Sequence, residues 1–214
     1  MNGPVLLLCL LSFAALGSLP FVFFRPGRKT TAWWLTASPF LLDAVLVVLA
    51  LGGVIAPWRA PGLLAYLAVP FIAAALGLLG ATLGSHARPL ALWHQDDDAP
   101  ESIVRHGAYR HIRHPFYVSF ILMLAGTALA LPHAGTLTLL VVGAWQLNRT
   151  AAREERRLLA TSFGAEYAAY MEVAGRFAPR LRGASRREHR RDADQAPVRA
   201  PDGRLSPAAP GRGS

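Results

Sequence analysis

The sequence predicts an all-α, polytopic integral membrane protein with about five transmembrane helices, a polar site on the cytosolic side, a C-terminal amphipathic helix and a disordered tail. Three observations predict this class. Hydrophobic residues make up 53% of the 214 residues and gather in long runs. The longest runs have the length that a helix needs to cross a bilayer. The basic residues, which give a net charge of +9, collect between these runs and in the C-terminal segment.

Five apolar runs define the predicted spans, at about residues 4–24, 36–56, 62–84, 115–131 and 134–152. The first run is interpreted as a span and not as a signal peptide, because no charged residue precedes it. The third is expected to kink at Pro70. The last two runs are short, which favours a helical hairpin broken at Pro132-His133. We expect residues 1–182 to form one membrane domain and residues 183–214 to be a disordered basic tail.

The distribution of positive charge predicts the orientation in the membrane. The loop after the first run carries Arg25, Arg28 and Lys29, whereas the loop after the second carries only Arg59. Cytosolic loops are enriched in Arg and Lys, so the N-terminus is expected outside and the C-terminus in the cytoplasm of a bacterial inner membrane. Because the basic residues flank apolar runs, we expect contact with membrane lipid and not with nucleic acid. Cys9 is the one cysteine, which excludes a disulfide within the chain.

The densest group of polar rings and cations lies in residues 107–119. Pro115 is expected to begin a helix there, because proline suits the first helical position. A helix N-terminus offers free N–H groups that suit a carboxylate or phosphate. If this segment is helical, Arg110, His114 and Tyr117 share one face. The alternative is that these side chains only anchor the cytosolic end of a span. His106, His111 and His114 match no standard ligand spacing, so no metal site is predicted.

Two acidic features stand out against the apolar background. Glu154-Glu155 follows the fifth run on the predicted cytosolic side, so the pair could share a site with residues 107–119. The alternative is a surface pair that supports an amphipathic helix over residues 154–171. Asp43 lies within the second predicted span, close to one of its ends. Both a functional role and an interfacial or structural role remain open for it.

A series of motifs resembles the isoprenylcysteine carboxyl methyltransferase family over roughly residues 101–181. It comprises Gly107-Ala-Tyr-Arg-His-Ile-Arg-His-Pro-Phe-Tyr117, the hairpin, Glu154-Glu155, Phe163-Gly-Ala-Glu-Tyr-Ala-Ala-Tyr170 and Arg176-Phe-Ala-Pro179. The resemblance implies methyl transfer from S-adenosylmethionine to a lipophilic small acceptor, which could be a carboxylate, an amine or a thiol. The cofactor-binding residues that it implies are His94, Val104, Tyr109, His114, Pro115, Phe116, Tyr117 and Glu155. Arg113 joins them, because a guanidinium suits the carboxylate of the methyl donor.

Two positions depart from the pattern of that family. Ser119 stands where the motif has Gly, and Ala151 stands where the carboxyl methyltransferases carry a substrate-facing Arg. Arg149 is expected to take over that role, with Glu154 as the second catalytic residue. The alternatives are an NADPH-dependent membrane reductase of related fold and a non-catalytic membrane scaffold.

Overall fold

The computed structural model describes residues 2–22, 31–58, 62–85 and 103–180. Within these ranges the regular secondary structure is helical, which confirms the predicted all-α class for them. The α-helices are α1 (Gly3–Val22), α2 (Thr31–Leu51), α3 (Gly62–Tyr66), α4 (Ala68–Gly84), α5 (Pro115–Ala130), α6 (Ala134–Leu159) and α7 (Gly164–Val173), with a 3-10 turn at Gly107–Arg110.

Two described stretches are long and apolar enough to cross a membrane, Trp33–Leu51 and Gly62–Gly84. Gly3–Ser18 and Pro115–Ala130 are apolar but shorter. Large apolar side chains also cover outer surfaces, as at Leu41, Val45 and Val48 of α2. Such extended exposed apolar faces are typical of a surface that contacts lipid or a partner. These features are consistent with a membrane protein, while the arrangement of five spans stays a prediction.

The core of the helical bundle surrounds α5, which packs against α1, α2, α3, α4 and α6. Its fully buried side chains come from several helices and include Leu6, Val47, Ile72, Met123 and Leu124. The compact unit that contains them extends over Met1–Pro179. The predicted tail, residues 183–214, lies outside the described residues.

Helix α2 begins and ends five residues earlier than the predicted span 36–56. The early end is explained by the Gly52-Gly53 pair, since Gly53 adopts a positive φ of 73° that ends the helix. The backbone N–H of Val54 then donates to the carbonyl of Leu49 at 2.9 Å. The shift moves Asp43 from the expected end of the helix to its middle, where it is fully buried.

The third predicted span is divided at Leu67 between α3 and α4. The break therefore comes three residues before Pro70, where the sequence predicted a kink. Pro70 lies in the first turn of α4, where a missing N–H costs little because those N–H groups lack intrahelical partners.

The predicted hairpin is present, with α5 and α6 joined through residues 131–133. The turn is closed by its own side chains. Thr136 Oγ1 donates to the carbonyl of Leu131 at 2.7 Å, and His133 Nδ1 accepts from the N–H of Gly135 at 3.1 Å. Helix α6 continues past the predicted end of the span at residue 152 and ends at Leu159.

The predicted single helix over residues 154–171 is wrong, because the chain turns between α6 and α7. The turn is fixed by Thr161, whose hydroxyl donates to the carbonyl of Leu158 at 2.7 Å. Gly164 allows the close approach, since a Cβ at this position would collide with the carbonyl oxygen of Leu159. The turn folds α7 back onto α6.

Candidate functional site

The polar segment before α5 is a turn followed by extended chain. Gly107 has φ +59°, and a Cβ there would collide with the hydroxyl of Ser85 at the end of α4. Glycine is therefore required both for the backbone angle and for the space. Helix α5 begins at Pro115, as predicted. Arg110 belongs to the preceding turn and is exposed, so the predicted face shared by Arg110, His114 and Tyr117 is wrong.

Residues 111–114 pair with the chain that follows α7. Ile112 and Gly175 form an isolated parallel bridge. The N–H of Arg113 donates to the carbonyl of Gly175 at 2.8 Å, and the N–H of His114 donates to the carbonyl of Arg176 at 3.1 Å. This pairing fixes the start of α5 and brings the Arg176 side chain to the same place.

Glu155 lies at the centre of a cluster of three cationic or potentially cationic side chains. Its carboxylate is only 3% exposed. Arg113 donates to Oε1 from Nη2 at 2.8 Å and from Nε at 3.0 Å. Arg176 donates to Oε2 from Nη2 at 2.5 Å, and His114 Nε2 lies 3.3 Å from Oε1. Helix α6 supplies the acid, and the chain before α5 and after α7 supplies the cations.

The two arginines of this cluster differ in how they are held. Arg113 is buried, and its Nη1 donates to the carbonyl of Ala174 and, at 3.3 Å, to that of Met171. Arg176 is 33% exposed and donates from Nη1 to Asn148 Oδ1 at 2.9 Å. Arg113 therefore joins the start of α5 to the end of α7, whereas Arg176 lies at the edge of the cluster.

Opposing effects set the charge of Glu155. Burial alone would raise its pKa, but hydrogen bonds from His114, Arg176 and Arg113 hold the pKa well below its usual range. The hydrogen bond to Glu155 in turn raises the pKa of Arg176, against the effect of its desolvation. Glu155 is thus an ionised acid between two permanently charged guanidinium groups.

Glu154, the adjacent acid, has a different environment. Tyr117 donates its phenol O–H to Glu154 Oε1 at 2.6 Å, and His114 Nδ1 lies 3.6 Å from Oε2. The side chain is 23% exposed. Burial raises its pKa to about 7, although the Tyr117 hydrogen bond and the charge of Arg157 act in the opposite direction. Glu154 therefore exchanges a proton near neutral pH.

His114 lies between the two acids. Its ring stacks parallel to that of Tyr117 with centroids 5.3 Å apart, and the edge of Phe177 lies 6.2 Å away. Burial lowers the pKa of His114, and the charges of Arg113 and Arg176 add to this while Glu155 opposes it. The imidazole is therefore neutral at physiological pH.

An apolar cluster adjoins this polar group through Tyr117. Tyr117, Leu147 and Ala151 are its buried members. The partly buried side chains packed against them are Phe40, Phe116, Phe120, Ile121 and Phe177. Ala151 is fully buried in this cluster. The site thus has a charged side at Glu155, an apolar side at Ala151, and Tyr117 and Glu154 between them.

The remaining predicted site residues are less closely connected. The carbonyl of Tyr109 accepts from the phenol of Tyr170 at 2.5 Å, and burial raises the pKa of Tyr109 above its usual range. Val104 is half-buried in the segment before the turn. The guanidinium of Arg149 lies 5.0 Å from the ring centroid of Trp145, which is itself exposed. His94 lies outside the described residues.

Sequence reasoning missed three residues that the structure adds to the site: Arg176, Asn148 and Phe177. Arg176 and Phe177 belong to a motif of the resemblance, so a signal was present without an assigned role. Asn148 had no signal, because it depends on the approach of Arg176 from a distant segment.

The arrangement suits three chemical tasks. Two guanidinium groups against one ionised carboxylate leave positive charge in excess, which favours an anionic group of a ligand. The stacked rings of His114 and Tyr117 offer aromatic faces to a cation. Glu154 can take up or release a proton near neutral pH.

Residues 91–161 match the model of the isoprenylcysteine carboxyl methyltransferase (ICMT) family. This match confirms the predicted resemblance, although the motifs Phe163–Tyr170 and Arg176–Pro179 lie beyond the matched residues. The matched residues include α5 and both glutamates, and they end before Arg176. A comparison with curated proteins found no match.

Proposed function

We propose that this relative of the ICMT family is a methyltransferase that uses S-adenosylmethionine and methylates a lipophilic small molecule at the cytoplasmic membrane face. The observation that carries the proposal is the joint position of Glu154 and Glu155. One is ionised among cations, and the other exchanges a proton beside an apolar cluster. Two adjacent environments of different charge suit a methyl donor and an acceptor that must lie side by side.

The cation cluster is the proposed binding site for the amino-acid end of the methyl donor, which supplies an electrophilic methyl group on a sulfonium. Glu155 accepts hydrogen bonds from three side chains, so it acts by holding Arg113, Arg176 and His114 in place. Arg176 is partly exposed and can turn an N–H towards a carboxylate. The N-terminus of α5, at Pro115 and Phe116, adds partial positive charge.

The aromatic side chains of the site are proposed to surround the sulfonium. Tyr117 offers its ring face, and Tyr109 lies in the turn that precedes α5. Aromatic faces stabilise cations within about 6 Å. Val104 and His94 complete the proposed cofactor contacts along the segment that leads to this turn.

The acceptor is proposed to lie along the apolar cluster around Leu147 and Ala151, with its reactive atom near Tyr117 and Glu154. Close positioning of the two reactants supplies much of the rate in a displacement of this kind. Arg149 stays a predicted catalytic residue, and its guanidinium lies over the exposed Trp145.

A direct test measures the binding of S-adenosylhomocysteine to the purified chain in detergent by calorimetry. The binding of NADPH is measured separately in the same way. We expect binding of the former only, and about a tenfold or greater loss of affinity, or about 1.4 kcal/mol, in Glu155→Ala and Tyr117→Ala. Glu166→Ala is the matched control, since Glu166 forms an exposed ion pair with Arg105 at 2.6 Å. Preferential binding of NADPH would support the reductase, and binding that is indifferent to both site variants would refute the proposed site.

A further inference from the structure

The exposed face of α6 changes from apolar to basic along the helix. Leu137, Val141 and Trp145 are exposed apolar side chains that follow one another at a spacing of four residues. Arg149 and Arg153 continue the same row, and both are exposed. Residues four apart lie on one side of a helix, so a single row of side chains is apolar in its first half and basic in its second.

Arg156 extends the basic half of this row. It is exposed and lies three residues after Arg153, so it shares a helix face with Arg149 and Arg153. These three arginines are called the basic ridge. The helix rises about 10 Å along the ridge, and the headgroup layer on one side of a bilayer is about 5–7 Å deep. Because a long Arg side chain can bend along the helix, all three guanidinium groups can reach one headgroup layer.

The two acids of the same helix segment do not neutralise the basic ridge. Glu155 is buried and binds the cations of the site, and Glu154 accepts its hydrogen bond from a phenol on the inner side. In the part of the chain that the structure describes, no acid lies within ion-pair distance of Arg149, Arg153 or Arg156. The exposed face therefore carries a net positive charge.

The end of the helix explains only part of this charge. Cations stabilise the C-terminus of a helix through its dipole, but the effect is confined to the last turn. Arg156 lies in the last turn of α6, whereas Arg149 and Arg153 lie farther from its end at Leu159. Their charges have no such structural partner.

Helices α2 and α6 pack antiparallel, which gives them a common scale of depth. Gly135 lies against Leu46, and Gly143 lies against Pro39. Residue numbers thus rise in α6 where they fall in α2. The part of α6 after Gly143 therefore lies beside the part of α2 before Pro39.

An exposed tryptophan on each of these two helices marks the level of the membrane surface. Trp34 is 52% exposed and Trp145 is 55% exposed. Trp34 lies about 7.5 Å before Pro39 along α2, and Arg149 lies about 9 Å after Gly143 along α6. The guanidinium of Arg149 is 5.0 Å from the ring centroid of Trp145. Because exposed tryptophans concentrate at membrane–water interfaces, the basic ridge begins at that level.

We propose that the basic ridge binds the headgroup of an anionic phospholipid, whose acyl chains lie along the apolar half of the same face. Guanidinium groups donate paired hydrogen bonds to phosphate oxygens. A zwitterionic headgroup also carries a cation, which the three guanidinium groups repel, whereas an anionic headgroup keeps its negative charge for them. The proposal adds a lipid-binding surface to the protein and is independent of methyl transfer.

The experiment uses the full chain in lipid nanodiscs made of equal parts of phosphatidylglycerol and phosphatidylcholine with identical acyl chains. One of the two lipids is brominated on its acyl chains, and the label is then exchanged, so that the composition stays constant. Bromine quenches the fluorescence of nearby tryptophans, and the Trp145 signal is obtained by subtracting that of Trp145→Phe. We expect the apparent binding constant at Trp145 to be at least about fivefold higher for phosphatidylglycerol, or about 1 kcal/mol.

The combined variant Arg149→Gln, Arg153→Gln, Arg156→Gln should remove this preference, so that both lipids quench equally. Arg105→Gln is the matched control and should keep the preference, because Arg105 is an exposed arginine that pairs with Glu166. The melting temperature of the combined variant should stay within about 4 °C of that of the unaltered chain, since exposed side chains contribute little to stability. In the unaltered chain, sodium chloride at about 1 M should also weaken the preference by screening the exposed charges.

Equal quenching by the two lipids in the unaltered chain overturns the proposal. A preference that persists undiminished in the combined variant or at high salt overturns it as well. Inorganic phosphate tests the other source of the same chemistry. Loss of the preference in phosphate, but not in sodium chloride of equal ionic strength, would show a site for free phosphate and overturn the assignment to a lipid.

Discussion

Glu154 and Glu155 are neighbours on α6, yet their surroundings are opposite. Glu155 accepts hydrogen bonds from two guanidinium groups and an imidazole, which keep it ionised. Glu154 meets a phenol, a neutral imidazole and an apolar cluster, and its pKa is raised to about 7. Successive residues of a helix point about 100° apart, so one residue of spacing places two identical acids in different environments.

The environment of each acid, more than its residue type, assigns the roles in such a pair. When the pKa values of two adjacent carboxyl groups are driven apart, one group can hold a charge while the other exchanges a proton. Here the ionised acid organises the cations that would bind the donor. The acid that exchanges a proton lies where the acceptor would react.

The largest expected effect is that of Glu155→Gln. The change leaves Arg113 and Arg176 without their anion, and breaking a buried ion pair costs about 3–5 kcal/mol. We expect the melting temperature in detergent at pH 7.5 to fall by about 6–20 °C, measured by intrinsic fluorescence. Glu166→Gln is the control. An equal melting temperature for Glu155→Gln and the unaltered chain would refute the ionised cluster.

The same variant has a pH dependence with a definite sign. The folded-state pKa of Glu155 is below its ordinary value of 4.5, so its stabilising contribution is present above pH 4.5. It is lost as the pH falls further, towards the folded-state pKa. The difference in melting temperature between the two proteins should therefore narrow below about pH 4.5.

The two arginines of the cluster should differ in their contribution to stability. Arg113→Met removes a buried cation and the donors to the Met171 and Ala174 carbonyls, so it should cost about 3 kcal/mol. Arg176→Met removes a partly exposed cation and should cost about 1 kcal/mol. Melting temperatures in one detergent test this order. A larger loss for Arg176 would mean that it, and not Arg113, organises the cluster.

Glu154→Gln should have the opposite effect on stability at high pH. A folded-state pKa of about 7 against an ordinary 4.5 means that protonated Glu154 favours the folded state. This contribution is complete below pH 4.5 and is lost as the pH rises through 7. The neutral amide should therefore stabilise the chain by about 1–3 kcal/mol at pH 8, and the difference should vanish by about pH 5. A variant that is less stable than the unaltered chain at pH 8 would contradict this interpretation of Glu154.

The smallest effect is expected for Asp43→Asn. Both carboxylate oxygens of Asp43 are buried without a hydrogen-bond partner among the described residues, since the nearby Thr127 hydroxyl donates to the carbonyl of Met123. Replacing an acid that lacks partners by a neutral amide should change the stability by less than about 1 kcal/mol, and the melting temperature measures this. A loss as large as that of Glu155→Gln would show that Asp43 binds a cation.

The sequence predicted part of the fold and of the site. Pro115 marked the start of α5, and the hairpin followed from two short apolar runs. The closeness of residues 113–117 to the acid pair was predicted from their common side of the membrane. These features depend on local sequence or on charge, and both can be read along the chain.

Other features depend on contacts between distant residues. The pairing of Ile112 with Gly175 places Arg176 at the site, and no local periodicity encodes a bridge across about sixty residues. The turn before α7 depends on the fit of Gly164 against Leu159, which is visible only in three dimensions. The end of α2 could have been predicted from the local sequence, because Gly52-Gly53 is a helix-stop signal. A search for apolar runs alone does not detect this signal.

The different roles of the two glutamates are tested most directly by calorimetry. The binding of S-adenosylhomocysteine to Glu155→Gln and to Glu154→Gln is measured in lipid nanodiscs at pH 7.5. The first variant should bind at least about tenfold more weakly than the unaltered chain, whereas the second should stay within about threefold. Equal losses in the two variants, or a larger loss in Glu154→Gln, would contradict the assignment of Glu155 to the donor side and Glu154 to the acceptor side.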